Sequence, residues 1–258
     1  MSRNFELLSE AGRMHELVQS PVEHSPVTTQ TVADIAPPAA DETFSSVPSL
    51  EMSGAIRDEI TKLVHKLFLP AHGSHRVVFS ATESGSGCTW MCARTALVLA
   101  LQGRGSVCVI DANLRAPRLH EEFGVQNGNG LSDALLGSEP LRHYAQRLAQ
   151  NMWLLSSGSR CAEAVTSLVS ERMRSRLAEL RNAFDYIVID SAPLNASNDA
   201  VVLGGFSDGI LLTLKANASR RETARRAMHE IQSANVRVLG AVLNQRTFPI
   251  PESLYKRL

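Results

Sequence analysis

Short apolar runs and amphipathic segments alternate along residues 54–258 of the chain. Runs such as VVFS, VCVI and YIVI are continuous, whereas the segments between them repeat apolar residues every three or four positions. Continuous runs are typical of strands buried on both faces, and helices between such strands are typical of a parallel sheet. The pattern therefore predicts an α/β fold with a doubly wound, mostly parallel sheet.

The same spacing predicts individual elements. Strands are expected at 76–80, 106–111, 151–158, 185–190, 208–215 and 236–244. Helices are expected at 56–69, 88–102 and about 218–234, and one long helix is expected at 165–184. Pro70 and Gly73 should end the first of these helices, which has a well-defined apolar face.

The first 53 residues follow a different pattern. Residues 1–20 contain one apolar helical stripe, so an amphipathic helix is expected there. Residues 21–53 are rich in Pro, Ser and Thr and lack any sustained period, which predicts a flexible linker. Because the stripe in 1–20 has no obvious core to join, this helix is a candidate docking element. The predicted organisation is a helix, a linker and one domain over 54–258.

Composition and charge narrow the classes of function. The chain has 26 basic and 26 acidic residues, so its net charge argues against bulk attraction to nucleic acid or anionic lipid. No apolar stretch approaches the roughly 20 residues that span a bilayer, and no signal peptide is recognisable at the N-terminus. Four cysteines without metal-type spacing predict free thiols in a reducing, cytoplasmic compartment.

A glycine-containing stretch, SATESGSGCTW, follows the first predicted strand. A phosphate-binding loop needs glycines for its backbone, a helix N-terminus for the anion and a hydroxyl for magnesium. Gly85, Gly87 and Thr89 meet these needs, but Thr82 replaces the usual first glycine and Cys88 replaces the usual lysine. On its own, the stretch fits either a phosphate site or a structural strand–helix turn.

An aspartate or an asparagine ends three of the predicted strands. Asp111, Asp190 and Asn244 should lie at the carboxyl edge of the sheet, where open parallel sheets bind ligands. Each residue also has an ordinary structural interpretation. An aspartate that ends a strand can cap the next helix, and an asparagine can close a turn.

The stretches around these residues resemble the bacterial tyrosine kinases of the CpsD/CapB type, a branch of the MinD/ParA-like P-loop NTPases. The similar segments are VCVIDANLRAPRLHEEFG, FDYIVIDSAPL and the region from NDAVV to VLGAVLN, and the resemblance covers about residues 56–258. It implies ATP or ADP and Mg²⁺ as cofactors. It also implies a cytoplasmic kinase-like protein that acts in capsule or exopolysaccharide biosynthesis.

Carried over residue by residue, the resemblance assigns a role to each candidate. The phosphate-binding loop would consist of Gly85, Ser86, Gly87, Cys88 and Thr89. Magnesium would be held by Thr89, Asp111 and Asp190. Asp111 and Asn113 would occupy the catalytic positions, and Asn244 would read the adenine edge.

Two substitutions in the motifs imply weakened or lost catalysis. Cys88 removes the lysine that neutralises phosphate charge, and Asn113 replaces a second aspartate. Arg115 or Arg118 could compensate, could be surface charges, or could be conformational anchors, as the resemblance implies. The family's tyrosine-rich tail is reduced to Tyr255, for which a packed aromatic role is the alternative.

The resemblance also implies partners. A separate membrane polysaccharide co-polymerase would recruit the chain to the inner face of the membrane. Glu59, Lys62 and His65 follow the spacing of the family's assembly helix, so self-association through residues 54–69 is expected, with a solvated helix face as the alternative. The competing hypotheses are a non-catalytic pseudo-kinase that regulates assembly by oligomerising and a MinD/ParA-like positioning ATPase.

Overall fold

The computed structural model describes residues 50, 52–102 and 105–246. Its strands form one sheet of seven, in the order β3-β4-β2-β5-β1-β6-β7. Only β3 is antiparallel to its neighbour, and the other pairs are parallel. The strands are β1 Arg76–Ala81, β2 Val107–Asp111, β3 Gln146–Ala149, β4 Met152–Leu155, β5 Tyr186–Asp190, β6 Gly209–Lys215 and β7 Val238–Asn244. The predicted α/β fold with a mostly parallel sheet is therefore confirmed.

Helices cover both faces of this sheet. In chain order they are α1 Gly54–Leu67, α2 Cys88–Leu101, α3 Leu119–Glu122, α4 Leu131–Leu136, α5 Ala162–Ser167, α6 Glu171–Ala183, α7 Asp199–Gly205 and α8 Arg221–Ser233. A short 3₁₀ turn occupies Leu141–Tyr144.

Two hydrophobic clusters lie on opposite faces of the sheet because neighbouring residues of a strand point in opposite directions. Val77 and Phe79 of β1 pack with α1 and α2 in one cluster. Val78, which lies between them, packs in the other cluster, to which α4–α8 contribute. The central strands are buried over almost their whole length, as their continuous apolar runs predict.

The single helix predicted at 165–184 is wrong, because the structure has two helices there. Ser170 adopts an extended conformation (φ −99°, ψ 164°) between α5 and α6. Its hydroxyl donates to the carbonyl oxygen of Ser167 at 2.7 Å, a local bond that competes with helix continuation. The apolar period continues through this break, so periodicity alone does not reveal it.

Several predicted features lie outside the described residues: the helix in 1–20, almost all of the linker 21–53, and Tyr255. The predicted domain boundaries accordingly stay predictions. Among the residues that the structure does describe, no helix combines the length and apolar character needed to cross a bilayer.

Candidate nucleotide-binding site

The segment that connects β1 to α2, residues 82–87, is called the glycine loop below. Gly85 and Gly87 have φ values of 79° and 75°, in the left-handed region that favours glycine. A Cβ atom on Gly87 would also collide with the Nδ2 atom of Asn244, whereas the space around Gly85 is open. Both glycines are thus required by backbone conformation, and Gly87 is required by close approach as well.

Five consecutive backbone N–H groups, at the end of the loop and the start of α2, are free of acceptors among the described residues. From Gly85 to Thr89, none of them donates a hydrogen bond to any residue of the described chain. Consecutive free N–H groups at the start of a long helix form an anion-binding cradle, to which the helix dipole adds positive potential. This arrangement favours a phosphate site over a purely structural turn.

The end of β7 holds the loop in place. Asn244 donates from Nδ2 to the carbonyl oxygens of Ser86, at 3.0 Å, and Gly87, at 3.5 Å. Gln245 donates from Nε2 to the carbonyl oxygen of Gly85 at 3.2 Å. The Oδ1 atom of Asn244 accepts from the backbone N–H of Gln245. Asn244 therefore bonds to the loop itself, and its role at the adenine edge stays a prediction.

A second contact ties the loop to the segment that follows β6. The hydroxyl of Ser219 donates to Glu83 Oε1 at 3.1 Å and accepts from the backbone N–H of Lys215 at 3.0 Å. The hydroxyl of Ser86 donates to the carbonyl oxygen of Glu83 at 2.8 Å. Glu83 and Ser219 are 136 positions apart, so local spacing in the sequence contains no sign of this contact.

Asp111 and Asp190 lie side by side, because they are direct partners in the β2–β5 pairing and both are buried. Asp111 accepts backbone N–H bonds from Asn113 at 3.2 Å, Arg118 at 3.1 Å and Leu119 at 2.9 Å. It therefore caps α3, as the structural interpretation allows, while it remains beside Asp190. Burial raises the pKa of Asp111, and the three backbone N–H groups oppose that rise.

Asp190 has no such support. Neither of its carboxylate oxygens has a hydrogen-bond partner of ordinary geometry within the described residues. Burial first, and then the charge of Asp111, raises the pKa of Asp190 well above the usual range of a carboxyl group. The side chains of Thr89 and Cys88 are near enough to oppose this rise. A buried carboxylate without partners needs a counter-ion or a proton.

Cys88, which stands at the usual lysine position, does not supply a charge. Burial and the nearby carboxylate of Asp190 raise the pKa of its thiol well above the usual value. The side chain lies beside Asp190 and Thr213 and packs against the apolar cluster of α1 and α2. A thiol in such surroundings stays protonated and is a poor nucleophile.

A cleft of about 380 Å³ opens above the glycine loop. Its volume lies within the range of pockets that bind small molecules. Its walls come from the loop, the start of α2 and the segments after β2 and β5, namely Ala81, Glu83–Trp90, Asn113, Ala116, Arg118, Glu122, Ser191 and Pro193. The residues predicted for phosphate binding, together with Asn113, thus line one cleft.

The two candidate compensating cations behave differently. Arg115 pairs with the buried carboxylate of Asp199, from Nε to Oδ2 at 3.5 Å, and does not line the cleft. Arg118 lines the cleft, is exposed, and forms no ion pair with any described residue. Arg118 is therefore the cation that is available to a bound anion.

The donor set fits magnesium bound together with a phosphate ligand. Mg²⁺ prefers oxygen donors and is commonly held by one or two carboxylates, water and substrate phosphates. Asp190 offers two buried oxygens without partners, and the Thr89 hydroxyl lies beside it. No group of three His, Cys, Asp or Glu side chains in the described residues could hold a metal ion alone. Ligands from a nucleotide and water would have to complete the site.

Besides Gln245 and Ser219, the sequence analysis missed a buried polar residue beside the loop. Thr213 of β6 is fully buried, lies beside the thiol of Cys88, and has an unbonded hydroxyl in the described chain. The sequence did contain a sign of it, because a threonine interrupts the apolar run GILLTLK. A hydroxyl in a strand buried on both faces calls for a polar partner.

The chain matches one family model and several bacterial tyrosine-protein kinases. The family model described as "Cellulose biosynthesis protein BcsQ" matches residues 75–230. The tyrosine-protein kinase YwqD of Bacillus subtilis is 30% identical over 169 residues, which are 65% of this chain and 71% of that kinase. The tyrosine-protein kinase etk of Escherichia coli K12 is 29% identical over 74% of this chain. The chain spans about a quarter of etk (26%), so it corresponds to only part of the longer relatives.

Solved structures share the fold. The chimerical protein CapA2B2 superposes with a TM-score of 0.69 at 20% identity, over 75% of this chain and 86% of that one. Cobyrinic acid a,c-diamide synthase from Mycobacterium smegmatis, solved with an ATP analog and magnesium, gives a TM-score of 0.60 at 17% identity. That match covers 70% of this chain and 77% of the synthase. The chain belongs to the family that the BcsQ model describes, and bacterial tyrosine-protein kinases such as YwqD are its relatives.

Proposed function

We propose that the chain binds ATP or ADP with Mg²⁺ in the cleft above the glycine loop. The observation that supports this most strongly is the buried carboxylate of Asp190, which accepts no hydrogen bond of ordinary geometry from the described residues and lies beside Thr89, where the free N–H groups end. A nucleotide would supply the anion for the N–H groups, and magnesium would supply the positive charge for Asp190. Thr89, Asp111 and Asp190 would hold the metal ion, and its role would be to neutralise phosphate charge.

The catalytic power of this site should be low. Phosphoryl transfer depends on positioning and on the stabilisation of charge, for which P-loop proteins use a lysine. Here the lysine position holds the neutral thiol of Cys88, and Asn113 offers an amide in place of a second carboxylate. Arg118 is the one cleft-lining arginine among the described residues. We assign it to the phosphates in place of the lysine.

The biological setting follows from the relatives. Two of them are named tyrosine-protein kinases, and a structural neighbour is the chimera CapA2B2. We propose a cytoplasmic, tyrosine-kinase-like protein that acts with a membrane polysaccharide co-polymerase, a separate chain, in capsule or exopolysaccharide biosynthesis. Recruitment by that partner would place it at the inner face of the membrane.

Self-association through α1 is part of this proposal. Glu59, Lys62 and His65 are exposed, and Glu59 forms an ion pair with Lys62 at 2.6 Å. Because both side chains are largely exposed, this pair contributes little to stability and is free to exchange for contacts with a second copy.

A pseudo-kinase is the second candidate function. The position of the Cys88 thiol favours it, because the side chain packs into the apolar cluster and a kinase at this position requires a cation. Such a protein would bind nucleotide and regulate assembly without transferring phosphate. The MinD/ParA-like positioning ATPase is the third candidate, and it lacks the early loop lysine, because Glu83 and Ser84 stand there.

One experiment separates these functions. The full chain is incubated with γ-labelled ATP and Mg²⁺, alone and with the cytoplasmic segment of its co-polymerase, with Asp190→Asn as the control. Labelled tyrosine in the wild type, with none in Asp190→Asn, supports the kinase. Nucleotide binding without labelled protein and without release of free phosphate supports the pseudo-kinase. Release of free phosphate without labelled protein supports an ATPase. Absence of nucleotide binding in the wild type would overturn the proposed site.

A further inference from the structure

Positive charge is concentrated in one short segment of a chain whose total charge is balanced. Residues 215–226, KANASRRETARR, contain five basic residues and one acidic residue. This segment joins β6 to α8 and includes the first half of α8. The balanced total therefore hides a strongly basic local surface.

The arginines of this segment are exposed and unpaired. Arg220, Arg221, Arg225 and Arg226 are all exposed, and none of them takes part in an ion pair or side-chain hydrogen bond within residues 52–102 and 105–246. They do not belong to the cleft above the glycine loop. The nucleotide site therefore does not explain them.

Their position on the helix is unfavourable for the protein alone. Arg220 is the N-cap residue of α8 and Arg221 is its first residue, where the positive end of the helix dipole favours acidic side chains. Glu222 is the one acidic residue in the first turn. Two cations at the positive end of a helix lower its stability, and an external anion would relieve the repulsion.

An exposed leucine lies at the same edge of the sheet. Lys215 pairs with Asn244, and the backbone N–H of Ala216 donates to the carbonyl oxygen of Asn244, so the end of β7 lies beside the start of the basic segment. Val242 packs against the α1–α2 cluster, so Leu243 points to the face that α8 covers. Leu243 is nevertheless 64% exposed.

We propose that these residues, named here the arginine surface (Arg220, Arg221, Arg225, Arg226 and Leu243), bind the headgroups of an anionic phospholipid bilayer directly. Clustered arginines attract anionic lipid, and an adjacent exposed leucine enters the boundary between headgroups and acyl chains. A nucleic acid backbone would match the arginines but would leave the leucine in contact with water and phosphate. The leucine therefore favours lipid over nucleic acid.

This inference is independent of nucleotide binding, because no residue of the arginine surface lines the cleft. It adds a direct contact to the recruitment by a membrane partner that is proposed above. Failure of one proposal would leave the other standing, since the lipid assay needs neither nucleotide nor co-polymerase.

The test is flotation of the full chain with two kinds of vesicle, phosphatidylcholine alone and phosphatidylcholine mixed with phosphatidylglycerol. We expect binding to the mixed vesicles alone, and weaker binding at high salt. Arg221→Gln/Arg225→Gln should lower the partition coefficient about 30-fold, about fivefold for each arginine. Leu243→Ser should weaken binding at low and high salt alike.

The matched control is Arg142→Gln/Arg181→Gln, which removes the same charge from two exposed arginines on other elements. It should retain the binding of the wild type. The melting temperature of Arg221→Gln/Arg225→Gln should be unchanged or higher, because a cation leaves the positive end of α8. Equal loss in both double variants, equal binding to both kinds of vesicle, or binding to duplex DNA without binding to vesicles would overturn the proposal.

Discussion

Under the glycine loop, a thiol and a carboxyl group occupy positions where a P-loop usually combines a lysine with a magnesium-binding aspartate. The pKa of the Cys88 thiol is raised, so this side chain contributes no charge. The pKa of Asp190 is raised because it is buried beside Asp111. Without a counter-ion, Asp190 therefore favours its protonated form, and a metal ion that binds there must displace that proton.

Cys88→Lys should tighten the binding of magnesium nucleotide. An ammonium group near the phosphates forms a charge-assisted hydrogen bond of about 1.5–3 kcal/mol, which corresponds to about 10- to 150-fold in affinity. Calorimetric titration with ADP and Mg²⁺ measures the change, and Cys161→Lys, away from the loop, is the control. Unchanged or weaker binding in Cys88→Lys would mean that another cation such as Arg118 already fills the position.

Asp190→Asn should change how stability depends on pH. Because the pKa of Asp190 is raised in the folded protein, the folded state retains a proton that the unfolded chain releases above about pH 4. The free energy of unfolding of the wild type therefore falls as pH increases from there through the raised pKa. The variant lacks this decline, so it should be more stable than the wild type at neutral pH. Urea unfolding over a series of pH values measures the difference.

Asp185→Asn provides the opposite case. The backbone N–H and hydroxyl of Ser106 donate to Asp185 at 2.7 and 2.8 Å and lower the pKa of this carboxyl group. Its stabilisation is present above the ordinary carboxyl pKa and is lost as pH falls, so this variant should be less stable than the wild type at neutral pH. A neutral-pH destabilisation of Asp190→Asn as large as that of Asp185→Asn would make Asp190 a structural residue.

At the residue scale, the sequence could predict which side chains meet but not how each is bonded. Asp111 and Asp190 end neighbouring parallel strands, so their proximity follows from the fold. Two of the backbone donors of Asp111 come from the loop between β2 and α3, and the third is the first residue of α3, a four-residue helix without a sequence pattern of its own. The difference in hydrogen bonding between Asp111 and Asp190 is therefore visible only in the structure.

At the scale of elements, the glycine loop depends on contacts that are far apart in sequence. Asn244 and Gln245 hold its carbonyl oxygens, and Ser219 holds Glu83. Glycine spacing could predict the turn, because left-handed backbone at Gly85 and Gly87 leaves a direct mark on the sequence. The hydrogen bonds that Asn244 and Gln245 donate to the loop leave no such mark on the sequence. Likewise, the break at Ser170 accompanies a local hydrogen bond from its hydroxyl, and hydrophobic periodicity does not reveal such a bond.

Gly87→Ala and Gly85→Ala should differ in their effects. Both place a Cβ atom on left-handed backbone, which costs about 1–2 kcal/mol of stability. Gly87→Ala should cost more, because its Cβ atom would also displace the Asn244 side chain from the loop. Thermal unfolding and nucleotide titration measure both effects. We expect Gly87→Ala to abolish nucleotide binding and Gly85→Ala to retain part of it. If the two variants lost stability and nucleotide binding equally, the hydrogen bonds from Asn244 would not be needed to hold the loop.

At the scale of the whole molecule, the order of elements was predictable because each central strand is a continuous apolar run. Short elements were not: β3, α3, α4 and α7 are four to seven residues long, too short to show a clear period. The net charge of the chain likewise did not predict the basic surface. It averages over the chain, and the basic segment 215–226 is visible only when its charges are placed on one exposed surface.

The final prediction concerns the stability of the folded protein with its ligand. A ligand that binds only the native state raises the free energy of unfolding by about 2.7 kcal/mol at a hundredfold excess over the dissociation constant. For a domain of this size, that corresponds to about 5–11 °C in the melting temperature. We expect ADP with Mg²⁺ to produce such a shift in the wild type, measured by calorimetry or intrinsic fluorescence.

Asp190→Asn separates the contribution of ADP to this shift in melting temperature from the contribution of Mg²⁺. The free N–H groups from Gly85 to Thr89 remain in the variant, so ADP without Mg²⁺ should still raise its melting temperature as much as it does in the wild type. The additional shift that Mg²⁺ gives the wild type should disappear, because the partnerless carboxylate is gone. If the variant instead keeps the full response to Mg²⁺, the metal ion is held elsewhere and the assignment of Asp190 is wrong. If neither protein responds to nucleotide, the glycine loop is a structural turn.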